Sequence, residues 1–163
     1  MSKRLYILKK SLVKKESVLD DKFSTHFDDV KSANGQPLND KRNGHSTLNR
    51  WEKQSDSIRN QYKEIDKTKN AIDREEAKIS ETEHWYHLMP DYIKSLIDSG
   101  TLKQWRKHPR IMFVDGVEKA RIYFDEETGL CSHKYVKSIT DKEQYAVFRD
   151  LYNNINLKQK EAA

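Results

Sequence analysis

Residues 51–86 read WEKQSDSIRNQYKEIDKTKNAIDREEAKISETEHWY, and Trp51, Ile58, Ile65, Ile72, Ile79 and Tyr86 recur in them at a strict seven-residue spacing. Nearly everything between is polar, with neither Gly nor Pro. This pattern predicts one long helix with a single narrow apolar seam. A seam that thin buries itself only against a partner helix, and a seven-residue period imposes a slight left-handed supercoil on the pair.

One candidate partner lies upstream. Leu5, Leu8, Leu12, Leu19, Phe23, Phe27 and Val30 recur at helical spacings and mark one face of a first helix ending near Ala33. The stretch from Asn34 to Thr47 gathers residues that break helices and make turns, so the chain reverses there, and Ser46 or Thr47 is expected to cap the second helix. An antiparallel hairpin about 45 Å long follows, from 1.5 Å of rise per residue. A homodimer through helix 48–86 is the competing way to cover the seam, with Lys69, Glu76 and Glu83 at the complementary heptad positions.

Beyond the hairpin the pattern changes. Pro90 and Gly100 bracket a short helix, and Thr101, Leu102 and Trp105 suggest another that stops before Pro109. Residues 111–114 read as a strand, and Asp115-Gly116 as a two-residue hairpin turn. Ala120, Ile122 and Phe124 alternate with Lys119, Arg121 and Tyr123, and residues 130–136 form a third strand. Thr140 and Glu143 match a capping box before a final helix whose face carries Tyr145, Phe148, Leu151, Tyr152 and Ile155. The expected fold is mostly α with a small α+β part. A helical hairpin, 1–85 with its loop at 34–47, precedes a three-stranded antiparallel meander with packed helices, 86–163.

The loop carries Gly35-Gln36-Pro37 and Gly44-His45-Ser46 between two long helices. In this it resembles a family of uncharacterised proteins borne on plasmids and phages. The resemblance covers the N-terminal half, implies a mobile-element origin, and assigns no active residue.

Composition narrows the functional classes. The chain has 163 residues, with 31 Lys and Arg against 26 Asp and Glu, a formal charge of +5. Cys131 is the only cysteine, which rules out an intramolecular disulfide and suits a reducing compartment, so a cytoplasmic location is expected. The apolar run near the N-terminus is too short for a membrane span. No cofactor or metal signature is legible. His84 and His87 lack a third ligand at suitable spacing, and Gly44-His45-Ser46 is explained by helix capping. The pairs Asp20-Asp21 and Asp28-Asp29 diverge around a helix and read as solvated charge.

Two stretches point to nucleic acid. Lys103, Arg106, Lys107 and Arg110 form the densest basic run, while the spacing of Leu102 and Trp105 favours a core position for that indole. If Ala120, Ile122 and Phe124 point inward, Lys119, Arg121 and Tyr123 point outward, and His133, Tyr135 and Lys137 are expected on the same side. The layout is similar to the DNA-reading sheets of AP2-type and integrase arm-binding domains. The leading expectation is therefore a non-enzymatic accessory protein of a phage or plasmid, contacting DNA or RNA through its C-terminal unit and a protein through its hairpin. The alternatives are an inhibitor of a host defence nuclease, of anti-restriction or anti-CRISPR type, and a small metal-dependent nuclease.

Overall fold

A computed structural model describes residues 2–36 and 44–162. Residues 37–43, which hold most of the expected turn and the end of the Gly-Gln-Pro element, lie outside them. The chain divides into two compact units, Met1–Glu76 and Ala77–Ala163, so the boundary falls ahead of the expected residue 86.

The first unit contains α1, Lys3–Ser32, and most of α2, Gly44–Leu88. Helix α1 closes where the sequence indicates. Asn34 takes a left-handed backbone (φ 50°), the Asn34 N–H donates to Lys31 O at 3.0 Å, and the Gly35 N–H donates to Val30 O at 2.9 Å. These two bonds satisfy carbonyls that the last turn leaves open. Helix α2 starts earlier than expected, at Gly44, so Ser46 and Thr47 lie within it rather than before it.

The seam is covered within the chain. Leu19, Ile58 and Ile65 form a buried cluster with Leu12 and Phe23 packed against it, and Leu5 and Ile72 are also buried. Trp51 and Ile79, at the two ends, are only half-buried. Phe27 departs from the expected face: it is 63% exposed and stacks on Phe23 at 6.0 Å.

Polar rows at the same period flank the seam. Lys15 Nζ donates to Glu64 O and Thr68 Oγ1, and one heptad on, Lys22 Nζ donates to Ser57 O and Gln61 Oε1. One heptad further, Asp29 accepts from Arg50 Nε and Gln54 Nε2. On another row, Lys9 pairs with Glu76 at 2.7 Å, Glu16 with Lys69 at 3.8 Å, and Phe23 meets Tyr62 edge-on at 6.1 Å. Every step of seven up α1 is matched by a step of seven down α2. Exposed pairs of this kind add little stability, about 0–1 kcal/mol each, but together they specify one antiparallel register.

The second unit adds α3 (Asp91–Asp98), β1 (Leu102–Trp105), β2 (His108–Val114), β3 (Arg121–Phe124), β4 (Cys131–Lys134), a 3-10 turn (Val136–Ser138) and α4 (Lys142–Ala162). The four strands form an antiparallel meander in the order β1-β2-β3-β4. The sheet thus has one strand more than the sequence pattern suggests. Leu102 to Trp105, expected to be helical, instead pair with β2, where Leu102 is buried opposite Val114. Four residues are too few for a stable helix, and pairing with β2 satisfies their backbone groups instead. Pro109 lies inside β2, and the ladder slips between Gln104 and Trp105, the kind of irregularity at which a strand tolerates a residue with no N–H. The Asp115-Gly116 pair makes a turn, closed by Val117 N–H to Val114 O at 3.1 Å, but the link continues to Ala120 before β3 begins.

One face of this sheet is buried. Leu102, Met112, Val114, Ile122, Phe124 and Cys131 join Met89, Ile93, Phe148 and Ile155 in a single core, with Trp85, Tyr92, Leu151 and Tyr152 around it. Asp141, rather than Thr140, caps α4, accepting from the Glu143 N–H at 2.9 Å. Tyr145 stays exposed. At the other end of α4, the buried Gln159 amide accepts from Cys131 N–H and donates to Cys131 O, both at 3.3 Å, and so closes part of the β4 edge.

Ile65→Ala, at a site 3% exposed, is expected to cost about 2–5 kcal/mol in urea unfolding, and Ile79→Ala less than half as much. Gln159→Ala is expected to cost about 1–3 kcal/mol by leaving the Cys131 N–H and carbonyl unpaired. Equal costs at Ile65 and Ile79, or a neutral Gln159→Ala, would contradict these packing assignments.

Candidate nucleic-acid interface

Register decides which side chains share the face opposite the core. Lys103 pairs with Phe113, Phe113 with Arg121, and Arg121 with Lys134, so these four form one row across all four strands. Ile111, Tyr123 and Ser132 form the neighbouring row. Directly paired residues lie on the same side of a sheet, and Met112 and Ile122 between them are fully buried, so both rows face away from α3 and α4. Trp105, past the slip in the ladder, joins them through its contact with the Phe113 ring.

The face is built from cations and aromatic rings. The Arg121 guanidinium lies 4.2 Å from the centre of the Phe113 ring, and the Lys134 ammonium lies 4.3 Å from that of Tyr123. Trp105 meets Phe113 edge-to-face at 5.8 Å and His108 at 4.8 Å. Arg121 also donates to Ala120 O at 2.8 Å, and burial pulls its pKa down from the ordinary arginine value, although a guanidinium keeps its charge in proteins. Lys103 pairs with Asp115 at 2.8 Å, in the loop at the end of the row.

The expected site residues do not all converge. Lys103, Arg121 and Tyr123 lie on the outer face. Arg106 and Lys107 lie in the β1–β2 turn. Arg110 turns to the helix side, where its guanidinium lies 4.7 Å from the ring centre of Trp85. Lys119 is exposed in the loop before β3. His133 pairs with Ile122 and places its ring 4.8 Å from Tyr152 of α4, on the core side. Tyr135, with φ 63°, ends the extended run, and Lys137 falls in the 3-10 turn. The expected alternation of His133, Tyr135 and Lys137 is therefore off by one: Ser132 and Lys134 face outward. Trp105, expected in the core, is 37% exposed on the outer face.

Phe113 and Lys134 are the contributors that sequence reasoning passed over. A signal for Lys134 exists in Cys131, the apolar residue of the Cys-Ser-His-Lys strand. Assigning it inward sets the register, and a one-residue slip exchanges the faces.

Charge is segregated rather than abundant. Met1–Glu76 holds 17 Lys and Arg against 13 Asp and Glu, whereas Ala77–Ala163 holds 14 against 13. The second unit is nearly neutral, contrary to its expected basic character. None of the four strands contains a carboxylate; those of the unit lie in the loops, as do Asp115, Glu118 and Asp125, and in the helices, as do Glu81, Asp91 and Asp150.

Among the described residues, no group of three or more His, Cys, Asp or Glu is placed to hold a metal ion. His84 and His87 contact their neighbours Trp85 and Tyr86. Asp29, expected to be solvated, belongs to the hairpin's polar row. No described helix is long and apolar enough to cross a membrane. No family model, curated protein or solved structure matches the chain.

Burial pushes the Cys131 thiol from 9.0 up to about 12, and pushes the Tyr92 hydroxyl from 10.0 up to about 12, with Cys131 adding to the latter. The fold keeps both groups neutral where the unfolded chain ionises them. Their contribution to stability is complete below about pH 9 and is lost as pH rises toward 12. Unfolding free energy is expected to fall above pH 9, less steeply in Cys131→Ala, and native Cys131 is expected to resist iodoacetamide at pH 8 until urea unfolds the chain. Rapid alkylation of the native protein would contradict the burial.

Proposed function

We propose that this protein binds nucleic acid through the outer face of its sheet, as a non-enzymatic accessory protein of a mobile genetic element whose helical hairpin engages a protein. The observation that carries the first part is the row Lys103, Phe113, Arg121 and Lys134, in which Lys103 is paired with Asp115 of the adjoining loop and Arg121 and Lys134 lie over aromatic rings. Cations held on a fixed surface neutralise phosphates and release condensed counterions, which is the main source of affinity independent of sequence. Aromatic rings beside them offer surface to bases or sugars.

The mobile-element origin rests on the loop resemblance at Gly35-Gln36-Pro37 and Gly44-His45-Ser46. The buried, single Cys131 suits the reducing cytosol. For the hairpin, the supporting feature is an aromatic flank: Phe27 and Tyr62 are 63% and 47% exposed, and both contact Phe23. Exposed aromatic residues gathered on one flank are characteristic of protein interfaces. That flank also favours a second reading, an inhibitor of a host defence nuclease, which predicts stoichiometric co-purification with the nuclease and no affinity for free nucleic acid.

Fluorescence anisotropy with labelled DNA and RNA at several salt concentrations tests the proposal. Arg121→Gln combined with Lys134→Gln is expected to weaken binding at least tenfold and to reduce the salt slope by between about one and two units, at about 0.7–0.9 per lost phosphate contact. Arg110→Gln, on the helix side, with Lys137→Gln, in the 3-10 turn outside the strands, serves as the control and is expected to bind like the wild type. Unchanged binding by the first pair, or equal losses in both, removes the outer face from the assignment.

A further inference from the structure

From the same face, and resting on the reading of it as a nucleic-acid surface, we infer that the ligand is single-stranded nucleic acid whose bases stack on the sheet, not a duplex read through a groove. Three rings share the face: Trp105, Phe113 and Tyr123. In a duplex the faces of the bases are hidden in the stack, so a ring has no flat surface to meet. A groove-reading sheet instead needs long polar side chains at its centre to reach base edges. The central outward positions here are Ile111, Phe113, Arg121 and Tyr123. Of these, only Arg121 and the Tyr123 hydroxyl are able to donate to a base edge, and the Arg121 guanidinium lies 4.2 Å from the centre of the Phe113 ring.

That stacked guanidinium is itself suited to a base. Arginine planes and aromatic rings both accept an unstacked base, so the Phe113–Arg121 stack extends by one layer without losing its contact. Lys134, 4.3 Å from the Tyr123 ring centre, is a point charge on a flexible stem. It moves to a phosphate when a base takes its place on the ring. The geometry also limits the site. Four strands at about 4.8 Å spacing make the platform about 14 Å wide, and an aromatic sheet of this kind accommodates two or three unstacked bases. Cations stand at both margins, Lys134 on β4 and, on β1, Lys103, which exchanges its exposed Asp115 partner for a phosphate, beside the Arg106-Lys107 turn; this suits a strand crossing the β-strands with its phosphates held at either side.

The test is a competition at fixed salt between labelled oligo(dT), oligo(U) and a duplex with the same number of phosphates. The single strands are expected to bind at least tenfold more tightly than the duplex, and the dT and U arms identify the preferred sugar. Trp105→Leu and Tyr123→Leu are each expected to weaken single-strand binding by about five- to a hundredfold, whereas Trp105→Phe and Tyr123→Phe, which keep a ring, retain most of it. Far-ultraviolet dichroism and thermal melting verify that each variant is folded, and a Leu variant that melts early is replaced by Thr at the same position. Equal or tighter duplex binding overturns the inference. So does wild-type affinity in folded Leu variants while Arg121→Gln with Lys134→Gln abolishes binding; in that case the charge-based function stands and stacking does not. No binding to any nucleic acid at low salt overturns both readings. A protein that self-associates through this face, dissociating on Trp105→Leu in sedimentation and binding no oligonucleotide, overturns both as well.

Discussion

Ile122 is fully buried between Met112 and His133 on the paired strands, and the organisation of the second unit follows from that placement. Once Ile122 points into the core, Ala120 and Phe124 must join it, and Arg121 and Tyr123 have no place except the opposite side. The antiparallel meander carries the same parity to Phe113 on one neighbour and Lys134 on the other. Helices α3 and α4 cover only the inner face, an arrangement that antiparallel sheets permit. The outer face is thus a consequence of core packing. Its cations and rings are aligned by residues that never touch it.

A second period governs the first unit. Seven-residue steps set the buried seam of Leu12, Leu19, Ile58 and Ile65, and the same steps set the polar rows beside it. The apolar row supplies most of the stabilisation, because burying a branched aliphatic side chain contributes about 1.5–3 kcal/mol. The flanking contacts choose among registers that the seam alone leaves nearly equivalent. In one of them, Gln54 is oriented by Asp29, which accepts from its amide, so its oxygen faces His26 Nδ1 at 2.9 Å and that nitrogen must carry the proton. A polar chain from Arg50 through Asp29 and Gln54 to His26 therefore continues the row at the loop end of the hairpin.

Strong, repeated patterns were legible in the sequence, and features that depend on a partner strand were not. The heptad of Ile58, Ile65 and Ile72, the end of α1 at Asn34-Gly35 and the inward set of Ala120, Ile122 and Phe124 each rest on several residues agreeing at one period. Leu102 to Trp105 offered only two apolar residues three apart, which suits a helix as well as an irregular strand. The decision was made by Val114 and Met112 across the ladder. On β4 a single-residue ambiguity in parity placed His133 outward and overlooked Lys134. The site was legible in part for that reason: Lys103, Arg121 and Tyr123 were found from their own strands, whereas Phe113 and Lys134 required the register. The basic run at 103–110 misled because neighbours in sequence diverge on strands, leaving Arg110 against Trp85 on the helix side.

In a nearly neutral unit, Lys103, Arg121 and Lys134 share the outer face of a sheet whose strands contain no carboxylate, while the Asp and Glu residues lie in the loops and helices. That segregation, more than net charge, is the basis for assigning the face to nucleic acid. Amide and side-chain chemical-shift mapping during titration with a short single-stranded oligonucleotide tests this most directly. Shifts are expected to concentrate at Lys103, Trp105, Phe113, Arg121, Tyr123 and Lys134, with α4 and Lys137 unaffected. Shifts centred on Arg110, Lys137 or the hairpin, with the outer face unchanged, would contradict it.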